Sequence, residues 1–536
     1  MENSEESAIK EAPKEGLGGL VRASSTVGFF TSLSRVAGLT RDMVFMHLFG
    51  ATHITDAFLM AFTIPNSFRM LVAEGTLTVA FLPVFTEVRE GRGMAAAKRL
   101  LAQAFGIFPI LVALLTGLCI LFAEPLVELF ASGFHSVPGK FGLTLSLTRT
   151  MFPYLFLISL VALCMGALNA MSYFAIPAAA PLLFNLIYIV AMLTLGLNLV
   201  DPPMFGVALG VLLAGLGQVL LQVFGLHKAG LLLRPEFNLS PEVRRILWLM
   251  APAILSLAIY QINILVLRKF ASYLGEGAVS YLYNADRFLQ LPLGIFAIAI
   301  ATASLPRLAR AHAQSDALTL RKAFVESLDL TNCITIPAAI ALYMLAYPIV
   351  CTIFQHGSFT AEMAENTAAA LEGFSLGLVA IAGIRVSAQA FFAIKDTVTP
   401  MLCSGVGLAA NLAFAPYLGL HYGFVGLALS VSLAAWLQLF IELILVRLRL
   451  GPLGLSEALF NVLRVVLASA LMGAALHFLA TYGAWEEGLA FANVALLVFT
   501  VLIGLAVYLL TCLLFGHKTL GVLVRISRKK LLKQSS

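Results

Sequence analysis

Four arginines, Arg35, Arg41, Arg69 and Arg287, lie within or at the mouth of long apolar segments, with Asp42, Glu74 or Asp286 close by in sequence. A charge at mid-bilayer costs on the order of 3 kcal/mol even on the forgiving insertion scale. Four of them are hard to accommodate unless they line a wet cavity and meet an anion there. The planar guanidinium fork fits phosphate oxygens in bidentate contact better than an ammonium does, and all four positions are arginine. The chemistry expected of this set is therefore recognition of an anion, phosphate above all.

Local sequence says how these side chains could be held. In TSLSRVAGLTRDMVFMHLFGA, Arg35 and Arg41 are six residues apart, about 120° around a straight helix. Gly38 lies between them, where a bend would turn both toward one cavity, and Ser34 and Asp42 are placed to hold them. In DAFLMAFTIPNSFRMLVAEGTLTVAFLP, Pro65 removes a backbone donor, and Asn66 and Ser67 can satisfy the carbonyls it frees. A broken helix at membrane depth is tolerated where protein or a water-filled cavity covers it. Arg69 follows that break within a turn and Glu74 comes five residues later. In YNADRFLQLP, Asp286 and Arg287 precede Pro292. The competing reading of an arginine in a span is snorkelling or a structural ion pair. It fits Arg149, Arg268, Lys269 and Arg464, near predicted ends, and it competes at Arg41 beside Asp42. Arg385 stays ambiguous between cavity and structural roles.

The elements that carry these residues are read from composition. Of 536 residues, 60% are hydrophobic and 12% charged, about half the charged share of a soluble chain. Apolar runs of about 20 residues recur throughout, each long enough to cross a hydrocarbon core of roughly 30 Å. The expected fold is an all-α polytopic membrane protein. Fourteen spans are predicted: 24–48, 55–87, 100–122, 143–169, 176–199, 205–226, 246–270, 278–302, 324–354, 364–393, 399–418, 423–446, 459–481 and 489–515. Residues 1–23 read as a polar cytoplasmic tail without signal-peptide features, and 516–536 as a basic one. Lys and Arg concentrate in loops on one side, such as Arg89/Arg92/Lys98/Arg99 and Arg307/Arg310/Arg321/Lys322, with Lys140 the main exception on the other side. The positive-inside rule then puts both termini in the cytoplasm. The net charge of +6 is topological, with a basic tail facing anionic lipid, and does not indicate nucleic-acid binding.

Internal similarity organises the spans. Pro83 and Pro306, Pro125 and Pro348, and Pro177 and Pro400 are each 223 positions apart, and Gly50 and Gly275 are 225 apart. Six spans per unit keep both units in the same orientation, so the expectation is two parallel lobes, 24–226 and 246–447, that rock about a site at their interface. Spans thirteen and fourteen (459–515) are an addition. No HExxH, GxSxG or Walker A run occurs in a plausible setting, so no catalytic residue is assigned and a transporter is expected rather than an enzyme. The six cysteines, spread singly without ligand spacing, read as small buried residues.

The chain resembles the MurJ (MviN) family of lipid II flippases, within the multidrug/oligosaccharidyl-lipid/polysaccharide exporter superfamily. The resemblance rests on SRVAGLTRD (34–42), FGATHITDAF (49–58), IPNSFRMLVAEGTLTVAFLPVFTE (64–87) and FPYLFLISLVALCMGALNA (152–170). It continues through YNADRFLQLPLGIFAIAIATASLPRL (281–308), FQHGSFT (354–360) and FFAIKDTVTP (391–400). It implies fourteen helices, a groove by the last two, and export of undecaprenyl-diphosphate-linked disaccharide-pentapeptide across the bacterial inner membrane. Carried over by motif, the substrate-binding set is Arg35, Arg41, Arg69 and Arg287 with Asp42 and Glu74, joined by Ser34, Asp56 and Asp286. No cofactor is assigned; membrane potential, with Na+ or H+, is the expected coupling source. Some members bind sodium in the second lobe; no residue is assigned to that site, and Asn411 and Gln261, polar positions in the corresponding spans, read as helix-packing amides. Expected partners are lipid II, anionic lipids and cell-wall polymerases, with the chain itself a monomer. The rivals are a flippase for another polyprenyl-diphosphate glycan, a cation-coupled drug exporter, which would want an acidic cavity, and a non-transporting lipid II-binding scaffold.

Overall fold

The computed structural model describes residues 17–231 and 234–516. In chain order the helices are α1 (Leu17–Phe49), α2 (His53–Arg69), α3 (Thr78–Leu121), α4 (Ala123–Ala131), α5 (Lys140–Met151), α6 (Pro153–Ala170), α7 (Ala175–Ala191), α8 (Pro203–Lys228) and α9 (Pro241–Ser272). They continue as α10 (Ala278–Pro292), α11 (Ile298–Ala313), α12 (Ala317–Met344), α13 (Ala346–Phe354), α14 (Ala361–Ser375), α15 (Leu378–Ala393), α16 (Val398–Leu450), α17 (Leu455–Ala480) and α18 (Phe491–Leu514). No strand occurs among the described residues. Nine helices among them are long and apolar enough to cross a membrane, or eleven when two bent pairs each count as one span. Two of the rods are double: α3 breaks at Gly93 (φ 81°) and α16 at Gly423 (φ 59°), conformations that suit glycine because it has no Cβ. Large apolar side chains face outward along the spans, for example Leu114, Leu220, Phe440 and Leu510, each more than 60% exposed. Only a hydrocarbon solvent makes that pattern stable.

The chain forms two compact units: Met1–Met46 with His53–Lys269, and His47–Thr52 with Phe270–Ser536. The division falls at Lys269/Phe270, whereas the sequence suggested the loop before residue 246. The reason is visible at α9, whose Glu242 and Arg245 bond to Arg92 and Glu87, while Gln261 reaches the Met70 sulfur at 3.2 Å. α1 begins at Leu17, inside the segment read as a tail, and 517–536 lies outside the described residues.

The internal repeat recurs in the backbone itself. α4 and α13 begin and end 223 positions apart, α6 and α15 end 223 apart, and α7 and α16 start 223 apart. Ser172 (φ 61°) and Lys395 (φ 62°), both left-handed without being glycine, keep the same spacing. So do the starts of two π-helical segments, Met70–Leu77 and Leu293–Ala297. Prolines alone could coincide; paired helix ends, paired π segments and paired left-handed residues fix the correspondence.

In the second unit, small residues let helices close up. A Cβ on Gly377 would meet the Ser432 hydroxyl at 2.6 Å, and that hydroxyl donates to the Gly373 carbonyl at 2.7 Å. Trp436 adds an indole bond to the Leu376 carbonyl at 2.8 Å. α17 and α18 pack on each other and on α12, pinned by the Tyr508 hydroxyl on the Cys333 carbonyl at 2.6 Å. The last turn of α1 docks on the segment after α13. Ser358 donates its amide to the His47 carbonyl at 2.8 Å and its hydroxyl to the Leu48 carbonyl at 3.1 Å, and the His47 and His356 Nδ1 atoms are 3.1 Å apart. All six cysteines are buried and reduced, as their apolar settings suggested.

Candidate functional site

On α1 the expected residues divide into a locked pair and an exposed arginine. Arg41 donates through Nη2 to Asp42 Oδ1 at 2.6 Å and through Nε to the same oxygen at 3.0 Å. Its Nη1 donates to Asn185 Oδ1 on α7 at 3.0 Å, and Tyr188 lies beneath the guanidinium, 5.6 Å from ring centroid to Cζ. The two side chains of the pair are 12% and 9% exposed. Asn185 returns its amide to the Ser34 carbonyl at 3.1 Å, so one side chain stitches α1 to α7 at both Ser34 and Arg41. The Ser34 hydroxyl is spent on the Thr31 carbonyl of its own helix. Arg35, by contrast, is exposed. α1 runs through Gly38 as one unbroken helix. A Cβ at Gly38 would stand 3.6 Å from the Asn185 amide nitrogen, an ordinary van der Waals contact.

On α2 the helix continues through Pro65 to Arg69, and the irregularity comes one step later as the π-helical turn Met70–Leu77. The Ser67 hydroxyl bonds the Thr63 carbonyl at 2.9 Å, as expected near a proline, but Asn66 turns its oxygen to Arg69 Nε at 2.9 Å. That contact orients a half-buried guanidinium at the point where the helix widens. The side chain of Glu74 lies outside the described residues. Asp56, also on α2, is 0% exposed and takes Lys140 Nζ of α5 at 3.0 Å, with the ammonium 4.1 Å from the Phe134 ring centroid. This explains Lys140, the cation that broke the charge rule: it neutralises a buried acid.

On α10, Arg287 lies over the Tyr283 ring at 4.7 Å and donates to the Tyr283 hydroxyl. Asp286 accepts from Gln290 Nε2 at 3.3 Å. Both charged residues are half-buried, between the buried Ala285 and Phe288. Arg35, Arg41 and Arg69 belong to the first unit and Arg287 to the second.

Three partners escaped the sequence reading: Asn185, Lys140 as the mate of Asp56, and Tyr283. An amide in the apolar run AAAPLLFNLIYIV, and an aromatic four residues before an arginine, were the available signals. Arg268, read as snorkelling, is 6% exposed and enclosed by protein. Arg464 is half-buried, lies over the Phe460 ring at 4.3 Å and donates to the Gly516 carbonyl at 3.4 Å. Gln261 and Asn411 act as packing amides, the first on Met70 and the second accepting from Ser430 at 2.9 Å. Among the described residues no group of three or more His, Cys, Asp or Glu could hold a metal ion. Each unit thus holds a half-buried guanidinium against a neighbour of its own helix, Arg69 on Asn66 in the first and Arg287 on Tyr283 in the second.

A family model described as Lipid II flippase MurJ matches residues 45–496. A "Probable lipid II flippase MurJ" of Vibrio cholerae serotype O1 is 34% identical over 507 residues, 93% of this chain and 96% of the relative. A "Lipid II flippase MurJ" of Burkholderia cenocepacia is 36% identical over 430 residues, covering 78% and 82%. Among solved structures, "Lipid II flippase MurJ, inward closed conformation" superposes with TM-score 0.75 at 24% identity, over 91% of this chain and 98% of that one. An inward-facing multidrug resistance MATE family transporter of the MOP superfamily gives 0.68 at 18%, over 78% and 95%. At these identities the two structures speak for the fold.

Proposed function

Since this chain belongs to the lipid II flippase MurJ family, we propose that it carries lipid II, the undecaprenyl-diphosphate-linked precursor of the cell wall, from the cytoplasmic to the periplasmic leaflet. It is a multi-pass transporter of the bacterial inner membrane and not an enzyme. The observation that carries the reading is the family match over residues 45–496, joined to relatives that align along nearly the whole chain. Fourteen crossings with both termini in the cytoplasm complete the proposed topology, supported by the sidedness of the Lys and Arg loops.

The diphosphate is the part of the substrate most expensive to move, because its charge must leave water. Arg35, Arg69 and Arg287 are assigned to it. Arg69 and Arg287 are half-buried and oriented by Asn66 and Tyr283, so less side-chain freedom is lost on binding. Arg41 and Asp42 have a different part: their mutual pairing and the Asn185 contact make them the brace that holds Arg35's helix to α7. Asp56, Asp286, Ser34 and Glu74 act as supports rather than as ligands of the anion. Alternating access follows from binding: an anion that neutralises the arginines lowers the cost of closing protein around them. The membrane potential then favours return of the empty cationic carrier, at about 2.3 kcal/mol per unit charge per 100 mV.

The test is replacement of the host's own flippase by this chain, with sidedness of lipid II measured in cells. Failure to restore periplasmic lipid II, with a different polyprenyl-diphosphate glycan accumulating when this chain is depleted, overturns the substrate. Lysine at Arg69 or Arg287 keeps the charge and loses the fork, so complementation should drop at least tenfold; full complementation by both refutes phosphate clamping.

A further inference from the structure

Glu442 is an acid in the apolar run LQLFIELILV, in the last stretch of α16. It is 1% exposed, and its Oε1 accepts from Gln438 Nε2 at 3.0 Å. Its Oε2 is buried, and no hydrogen-bond partner for it stands among the described residues. Gln438 also reaches the Ser404 hydroxyl at 3.4 Å, across the hairpin that α16 forms at Gly423, and that hydroxyl donates to the Pro400 carbonyl. Gly407 leaves the space that the Gln438 amide fills. Ser404 and Gln438 are half-buried, which gives the enclosed carboxyl one polar edge.

No cation answers Glu442 among the described residues. The elements packed on α16 bring titratable groups of their own: Arg385 on α15, Glu362, Glu365 and Glu372 on α14, Asp286 and Arg287 on α10, and Arg321, Lys322, Glu326 and Asp329 on α12. Among the described residues none of these makes an ion pair or hydrogen bond with Glu442, whose polar contact is the Gln438 amide. An ionised carboxylate in a span, with one oxygen bare and no cation beside it, is among the costliest arrangements in a protein interior. A neutral carboxylic acid costs less: it carries no net charge, its carbonyl oxygen keeps the Gln438 bond, and what stays unmatched is one neutral O–H rather than a bare carboxylate oxygen.

We propose that Glu442 is a reversible proton-binding site in the second unit, occupied while the α16 hairpin is dry and emptied only when water reaches Oε2. The step is a plain acid dissociation: the O–H bond of the carboxyl breaks, the proton passes to water, and the electron pair stays on the carboxylate. Wetting of the α16 hairpin and proton release are then one event, so proton concentration acts directly on the packing of α16. The inference does not depend on which lipid is carried.

The test uses the full chain in lipid nanodiscs and infrared difference spectra recorded as the buffer is stepped from acidic to alkaline. Wild type should lose one buried carboxylic C=O band, shifted in D2O, and gain carboxylate bands. Glu442→Gln should lose that difference band entirely. If Glu442→Gln does not accumulate, Glu442→Asp moves the carboxyl by one methylene and must shift the band. A band of unchanged position and midpoint in either variant overturns the assignment, and so does removal of the wild-type band at constant pH by sodium chloride, which would make the site one for sodium. Lipid II sidedness in cells, measured separately, tests the functional reading without touching this one.

Discussion

The Lys140–Asp56 pair permits a quantitative test of how the first unit is held. The charges are 3.0 Å apart and their side chains are 3% and 1% exposed, with Phe134 covering the ammonium. Lys140→Met keeps most of the volume but leaves a carboxylate buried without its cation. Breaking a buried pair from one side costs about 3–5 kcal/mol, whereas replacing both partners by apolar groups of similar size is often neutral or better. For a unit of this size each kcal/mol lowers the melting temperature by roughly 2–4 °C. Lys140→Met should therefore melt about 10 °C below wild type, and Lys140→Met/Asp56→Leu within a few degrees of it. The assay is heating of the purified chain in detergent, with the monodisperse fraction read by size-exclusion chromatography. Equal losses in the single and double variants would refute the reasoning, because the penalty would then come from lost packing and not from a stranded charge. So would an unshifted single variant.

Asn185→Leu removes the hydrogen bond to a charged Arg41 and the one to the Ser34 carbonyl, so a loss of about 2–3 kcal/mol is expected; thermal melting reads it, and Asn185→Asp should recover part by pairing with Arg41. At the His47–His356 contact, burial first and the neighbouring imidazole second hold His356 below its usual pKa. The undocked segment therefore binds the proton more tightly than the docked one. Docking should be intact above about pH 6.5 and weaken as pH falls through that value toward the lowered one. Amide hydrogen exchange across 355–360, corrected for intrinsic rates, should rise in that window, and His356→Gln should flatten the response.

Much of the architecture was legible because it follows from solvent. Apolar length and the placement of Lys and Arg announce spans, and the prolines at 83 and 306 or 125 and 348 announce a repeat that the helix ends confirm to the residue. The site was less legible, since sequence neighbours are not spatial neighbours. Asp42 beside Arg41 was readable, being adjacent; Asn185, 144 residues away, was not. Lys140 looked like a topological anomaly because its partner Asp56 lies on another helix. Pro65 was the obvious place for a break, yet Ser67 and the surrounding packing carry the helix past it and the distortion emerges as a π turn after Arg69. Local chemistry told where the backbone is stressed, while packing chose where the stress shows.

Ser172 and Lys395 have a use beyond marking the repeat. Each ends a helix in a backbone shape that L-residues rarely adopt, and each is followed within three residues by the next helix of its own unit. The molecule thus contains two copies of one joint, with different side chains on a common skeleton. Glycine substituted at either joint relieves the same steric burden, so the pair forms a matched experiment inside a single polypeptide. Where the two responses agree, the shared backbone sets the behaviour; where they part, the differing side chains and neighbours set it.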